Sequence, residues 1–125
     1  NHGMVKITFS HVNSTIGNSA YTGVGFKPSG IIFLYGDNAG ATAIMMGIGS
    51  ASAITGVTDG YHSLNLYPTN QWYADGNNSQ IVAYETASNI ATATVASFDI
   101  DGFTLTWSKT NTPTGTLRVT ALCFR

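Results

Sequence analysis

The stretch 97–108, Ser-Phe-Asp-Ile-Asp-Gly-Phe-Thr-Leu-Thr-Trp-Ser, constrains the chain most, because it reads as two β-strands joined by a tight acidic turn. Phe103, Leu105 and Trp107 alternate with Thr104, Thr106 and Ser108, the period-two pattern of a strand with one face buried and one wet. Asp101-Gly102 stands where a short hairpin loop calls for positive φ, which glycine adopts at no steric cost.

The same pattern recurs along the chain. Val5, Ile7 and Phe9 alternate with Lys6, Thr8 and Ser10, and a weaker strand is expected over 15–21. Phe26 reads as an apolar plug under a Gly- and Pro-rich loop. The run Ile31-Ile32-Phe33-Leu34-Tyr35 predicts a central strand buried on both faces. In 41–52, Ile44, Met46 and Ile48 fall on one side and Met45 on the other, and Gly47 and Gly49 argue against a helix, where each costs about 1 kcal/mol relative to Ala. Short extended pieces are expected at 55–58, 62–67, 71–74 and 80–84, and one helical turn within 85–91. Over 91–98, Ala91, Ala93, Val95 and Ser97 oppose Thr92, Thr94, Ala96 and Phe98; over 116–124, Leu117, Val119, Ala121 and Cys123 form one face. Turn signals about every ten residues predict an all-β fold, an antiparallel β-sandwich of about eight or more strands. A jelly-roll-like arrangement is the first expectation and a closed barrel the second. Phe33, Phe103, Leu105, Leu117 and Val119 are the expected inner-face core, with the last strand central or nearly so.

At 125 residues one domain is expected, over 4–125, with Asn1-His2-Gly3 read as a foreign leader before Met4 and excision from a longer protein as the alternative. Charged residues make up only 9%, against roughly 25% in an ordinary soluble domain. With a net charge of −1 and cations dispersed over Lys6, Lys27, Lys109, Arg118 and Arg125, there is no basic stripe for nucleic acid or membrane. The chain as given is expected to be soluble, with no signal peptide or membrane-spanning run. A weakly charged surface favours association, so a homo-oligomer is expected. Cys123 in its apolar strand reads as a small buried hydrophobe.

Catalytic and metal-binding patterns are incomplete. Asp99-Ile100-Asp101-Gly102 matches a fragment of a calcium loop without its remaining acidic ligands, and a plain hairpin turn accounts for both carboxylates. One Cys and His2, His11 and His62 lack zinc spacing, so no metal and no cofactor are expected. Glu85 is the single Glu and the five Asp lie beside turns or strand ends, which leaves no facing acid pair. His11 has no evident nucleophile and orienting acid, and no enzymatic activity is expected. A binding site is best sought at Asp59, Tyr61, His62, Trp72, Tyr73, Asp75, Asn77 and Asn78, with Tyr67 and Gln71 close by. Loop aromatics beside amides and carboxylates suit sugars, stacking on C–H faces while hydroxyls exchange hydrogen bonds. The same aromatics suit a sheet edge or an intersubunit seam equally well.

Three segments taken together, Gly25-Phe26-Lys27-Pro28-Ser29-Gly30-Ile31-Ile32-Phe33, Gly47-Ile48-Gly49-Ser50-Ala51 and 97–105, resemble small β-rich virion proteins of tailed bacteriophages. The resemblance runs in order from about Tyr21 to Arg125. It implies a place in the virion, as a capsid-surface subunit that decorates or stabilises, or as a tail or fibre component, with other virion proteins as partners. It carries no catalytic or ligand residue over to this chain. The segment 58–79 is peculiar to this sequence, and recognition of a host surface glycan would reside there.

Overall fold

A computed structural model describes residues 3–38, 44–53, 62–66, 72–75, 79–85 and 88–125. The described residues contain no helix and form ten strands: β1 (Met4–Val12), β2 (Gly17–Thr22), β3 (Gly30–Asn38), β4 (Ile44–Ser52), β5 (His62–Leu66), β6 (Trp72–Asp75), β7 (Ile81–Tyr84), β8 (Ile90–Asp99), β9 (Gly102–Thr110) and β10 (Thr116–Phe124). They make two antiparallel sheets, one of six strands in the order β1-β10-β3-β4-β5-β6 and one of four in the order β2-β9-β8-β7.

The sheets share one core. Phe33 of the first meets Phe103 of the second edge-on, with ring centroids 5.5 Å apart. Leu105, Leu117 and Val119 are buried in the same cluster, so all five expected core residues are inside. β10 lies between β1 and β3, an interior position that buries Leu117, Val119, Ala121 and Cys123 as its alternation predicts. Phe26 is buried beneath its loop, with the Arg125 guanidinium 4.9 Å above its ring.

Four expectations are corrected. The hairpin loop between β8 and β9 is Ile100-Asp101, Gly102 is the first residue of β9, and its φ is not positive. Gly102 is required for a different reason: a Cβ there would overlap the Tyr21 carbonyl of β2. No helical turn forms within the described part of 85–91; Glu85 closes a bend by donating its N–H to the Asn89 carbonyl at 3.0 Å, and β8 starts at Ile90. The alternation of β8 breaks at a bulge between Val95 and Ser97, which turns Phe98 onto the core instead of away from it. β3 is central but covered on one face only, since Ile31, Phe33 and Tyr35 are buried while Leu34 is exposed. The strand expected at 55–58 lies outside the described residues.

Candidate functional site

Strand alternation divides the six-stranded sheet into a core face and an outer face, and the outer face is where the chain presents its unusual chemistry. Register aligns Thr8, Thr120, Leu34 and Ile48 in one cross-strand row, with Lys6, Leu122, Ile32 and Ser50 in the next. Leu34 and Ile48, directly opposite each other, are 42% and 46% exposed, and Met46 one row further on is 57% exposed. Ile32 and Leu122 extend this apolar strip, and Lys6 and Arg118 are the charges of the described outer rows. An open groove of about 440 Å³ runs beside the strip, lined by Thr8, Ser10, Arg118 and Thr120 together with Phe9 and Val119. Contiguous exposed apolar side chains of this kind mark interaction surfaces more often than solitary ones do.

Of the residues expected to bind a sugar, Asp59, Tyr61, Asn77 and Asn78 lie outside the described residues, as do Tyr67 and Gln71. His62 begins β5 opposite Ile48, and Trp72, Tyr73 and Asp75 lie on β6 opposite Leu66, Asn65 and Ser63. The hairpin of β5 and β6 therefore brings the backbone positions of these four onto neighbouring strands at the far edge of the larger sheet.

Three of the acidic residues considered for metal or catalysis, Asp99, Asp101 and Glu85, have structural partners. Asp99 accepts hydrogen bonds from the Ser97 and Thr104 hydroxyls, each at 2.7 Å, and these hold its carboxyl below the usual carboxylate value. Asp101 accepts from the Gly23 and Gly25 amides at 3.1 and 2.6 Å, while its carbonyl accepts from Val24 N–H. Gly23 and Gly25 both have positive φ, the conformation that turns their N–H groups toward one carboxylate. Beyond the opposite end of β8, buried Glu85 accepts from the Thr114 and Gly115 amides and the Asn13 side chain, each at 2.7 Å. One carboxylate thus ties the β1–β2, β7–β8 and β9–β10 connections together, and the other pins the β8–β9 hairpin to the β2–β3 connection. No sequence pattern marked these clamps, because each partner is distant in the chain and most of the donors are backbone amides.

His11 stacks on Trp107 with centroids 3.5 Å apart and planes within 7°, and its Nε2 lies 3.0 Å from the Thr15 carbonyl. Burial lowers its pKa below the ordinary imidazole value. Burial pushes the Cys123 thiol up to about 11, so the thiolate nucleophile is scarce near neutral pH. Among the described residues no group of three or more His, Cys, Asp or Glu is placed to hold a metal ion, and no helix is long and apolar enough to cross a membrane. In comparison with known proteins, the chain matches no family model, no curated protein and no solved structure.

Proposed function

We propose that this protein is a non-enzymatic structural component of a tailed-bacteriophage virion, at the capsid surface or in the tail, that works by packing against copies of itself and other virion proteins. The observation that carries the reading is the uncharged apolar strip of Leu34, Ile48 and Met46 on the outer face of the six-stranded sheet. Contacts through such a strip gain apolar burial while desolvating few charges. The resemblance of 21–125 to small virion proteins supplies the setting, and the clamping roles of Asp101 and Glu85, with Asp99 bonded inside its own hairpin, are consistent with carboxylates spent on architecture. A jelly-roll-like β-sandwich is the fold that goes with this reading. Its support is the set of ring contacts that lay β1 and β3 against β2 and β9; β3 to β6 and β7 to β9 run on as simple meanders.

Immunogold electron microscopy of gradient-purified phage particles, with antibody raised against this chain, tests the proposal. Label on capsid or tail is expected, and Ile48→Lys should reduce incorporation at least several-fold while leaving the melting temperature nearly unchanged. Particles devoid of the protein overturn the reading. The second reading, a glycan-recognition module of a tail or fibre, draws on the placement of His62, Trp72, Tyr73 and Asp75 on the β5–β6 hairpin. It requires glycan-array binding that Trp72→Ala removes.

A further inference from the structure

β1 and β2 are the terminal strands of their sheets, and both lie on the same flank of the molecule. The Phe9 and Tyr21 rings stack across them at 3.9 Å, so the two open edges meet on that flank. A terminal strand leaves a row of N–H and C=O groups without a ladder partner, and natural proteins protect such edges with charge, proline, bulges or brevity. This flank has little of that protection. β1 keeps nine successive pairs with β10 and β2 six with β9, both without a break. Neither strand contains proline, and Lys6 is the single charged residue in the two.

We propose that a second copy of this chain occupies the flank, with β1 pairing antiparallel to β1 of its partner about a two-fold axis at Thr8, which fuses the two six-stranded sheets into one. The inference rests on the reading of this protein as a self-packing structural subunit and names the surface that does the packing. The residues of β1 select both the occupant and the register. With Thr8 on the axis, all nine residues pair: Met4 faces Val12 of the other copy, Val5 faces His11, Lys6 faces Ser10 and Ile7 faces Phe9. Met4 and Val12 are 47% and 49% exposed, and this pairing places each beside the other on the outer face. An axis at Lys6 would set two lysines directly opposite, which is destabilising. An axis at Ser10 would leave Met4 to Ile7 without partners. In the Thr8 register the two lysines are four residues apart along the strand, about 13 Å, beyond the ~8 Å screening length at physiological salt. A self-complementary patch closed by a two-fold is also the commonest symmetry of soluble oligomers.

Oxidative cross-linking reads the register. Directly opposite side chains have Cβ atoms about 4.5–5.5 Å apart, so Thr8→Cys should form a disulfide-linked dimer, with buried Cys123 contributing no competing link. Lys6→Cys and Ser10→Cys should each remain largely uncrosslinked alone and link when mixed. Thr8→Glu, a change on the exposed face, should convert the dimer to monomer in sedimentation velocity while the folded circular dichroism spectrum persists. A dimer with no Thr8→Cys cross-link overturns the flank as its interface and leaves the virion reading standing. A monomer at high micromolar concentration that still labels virions overturns the second copy as occupant and points to a strand from another virion protein. A monomer absent from virions overturns both.

Discussion

At the scale of single residues, His11, Asp101 and Glu85, each weighed for catalysis or metal binding, have side chains engaged in packing or hydrogen bonds that join distant parts of the fold. His11 is the clearest case, because its stack on Trp107 and its contact with the Thr15 carbonyl favour a neutral ring donating from Nε2. Its pKa in the folded protein lies below the ordinary 6.5, with burial outweighing the Thr15 hydrogen bond that pulls the other way. Between the folded and unfolded values the unfolded chain binds more protons, so stability rises with pH across that window. The contribution is complete above about pH 6.5 and declines as pH falls toward the lower folded value. Thermal melts from neutral to mildly acidic pH should show this decline, and His11→Phe should remove that part of the slope whatever its effect on the absolute melting temperature. An unchanged slope in the variant would assign the pH dependence elsewhere.

At the scale of elements, glycines set how closely the strands approach. Tyr35 crosses the space left by Gly47, where a Cβ would overlap its ring, and its hydroxyl accepts the Val82 N–H at 3.2 Å, joining β3 to β7. Burial raises the pKa of that phenol, which keeps it neutral for this role. Gly49 lets the β7 side come closer still, since a Cβ at that position would overlap the Gln80 carbonyl. Gln80 in turn accepts Val95 N–H at 2.8 Å, beside the bulge of β8. Gly49→Ala should therefore force backbone apart and cost about 1–3 kcal/mol in denaturant unfolding. Gly30→Ala is the matched control, because its new Cβ would meet the Ala51 carbonyl at an ordinary 3.5 Å. Its effect should stay within about 1 kcal/mol of zero. Equal costs at both positions would show that chain entropy, and not close approach, decides these glycines.

At the scale of the whole molecule, the last strand closes the structure. β10 pairs with both β1 and β3 in the larger sheet, and its Leu117, Val119, Ala121 and Cys123 are part of the common core. Leu117→Ala should cost about 2–5 kcal/mol as a buried large-to-small change, and a chain ending before Thr116 should show no cooperative melting transition. Cooperative melting of the shortened chain near the full-length temperature would reduce β10 to an accessory. The identity of β3 and the identity and inner faces of β1, β9 and β10 were legible in the sequence, the latter because a half-buried strand writes its environment into alternate residues. The phase of β8 beyond Val95 was not, since one bulged residue reverses the alternation without altering composition. Nor was the bare outer face of β3: a continuous apolar run looks the same whether a second layer covers it or solvent does. Of the proposed sugar-binding residues, sequence supplied only the residue types, and the β5–β6 register brought four of them onto adjacent strands. Local pattern thus determined that this chain makes antiparallel strands with defined inner faces. Tertiary structure alone decided which strands are edges, which glycines meet backbone and which carboxylates become clamps, because those outcomes depend on pairings between residues far apart in the chain, such as Gly49 with Gln80, Glu85 with Asn13 and Gly115, and Asp101 with Gly23.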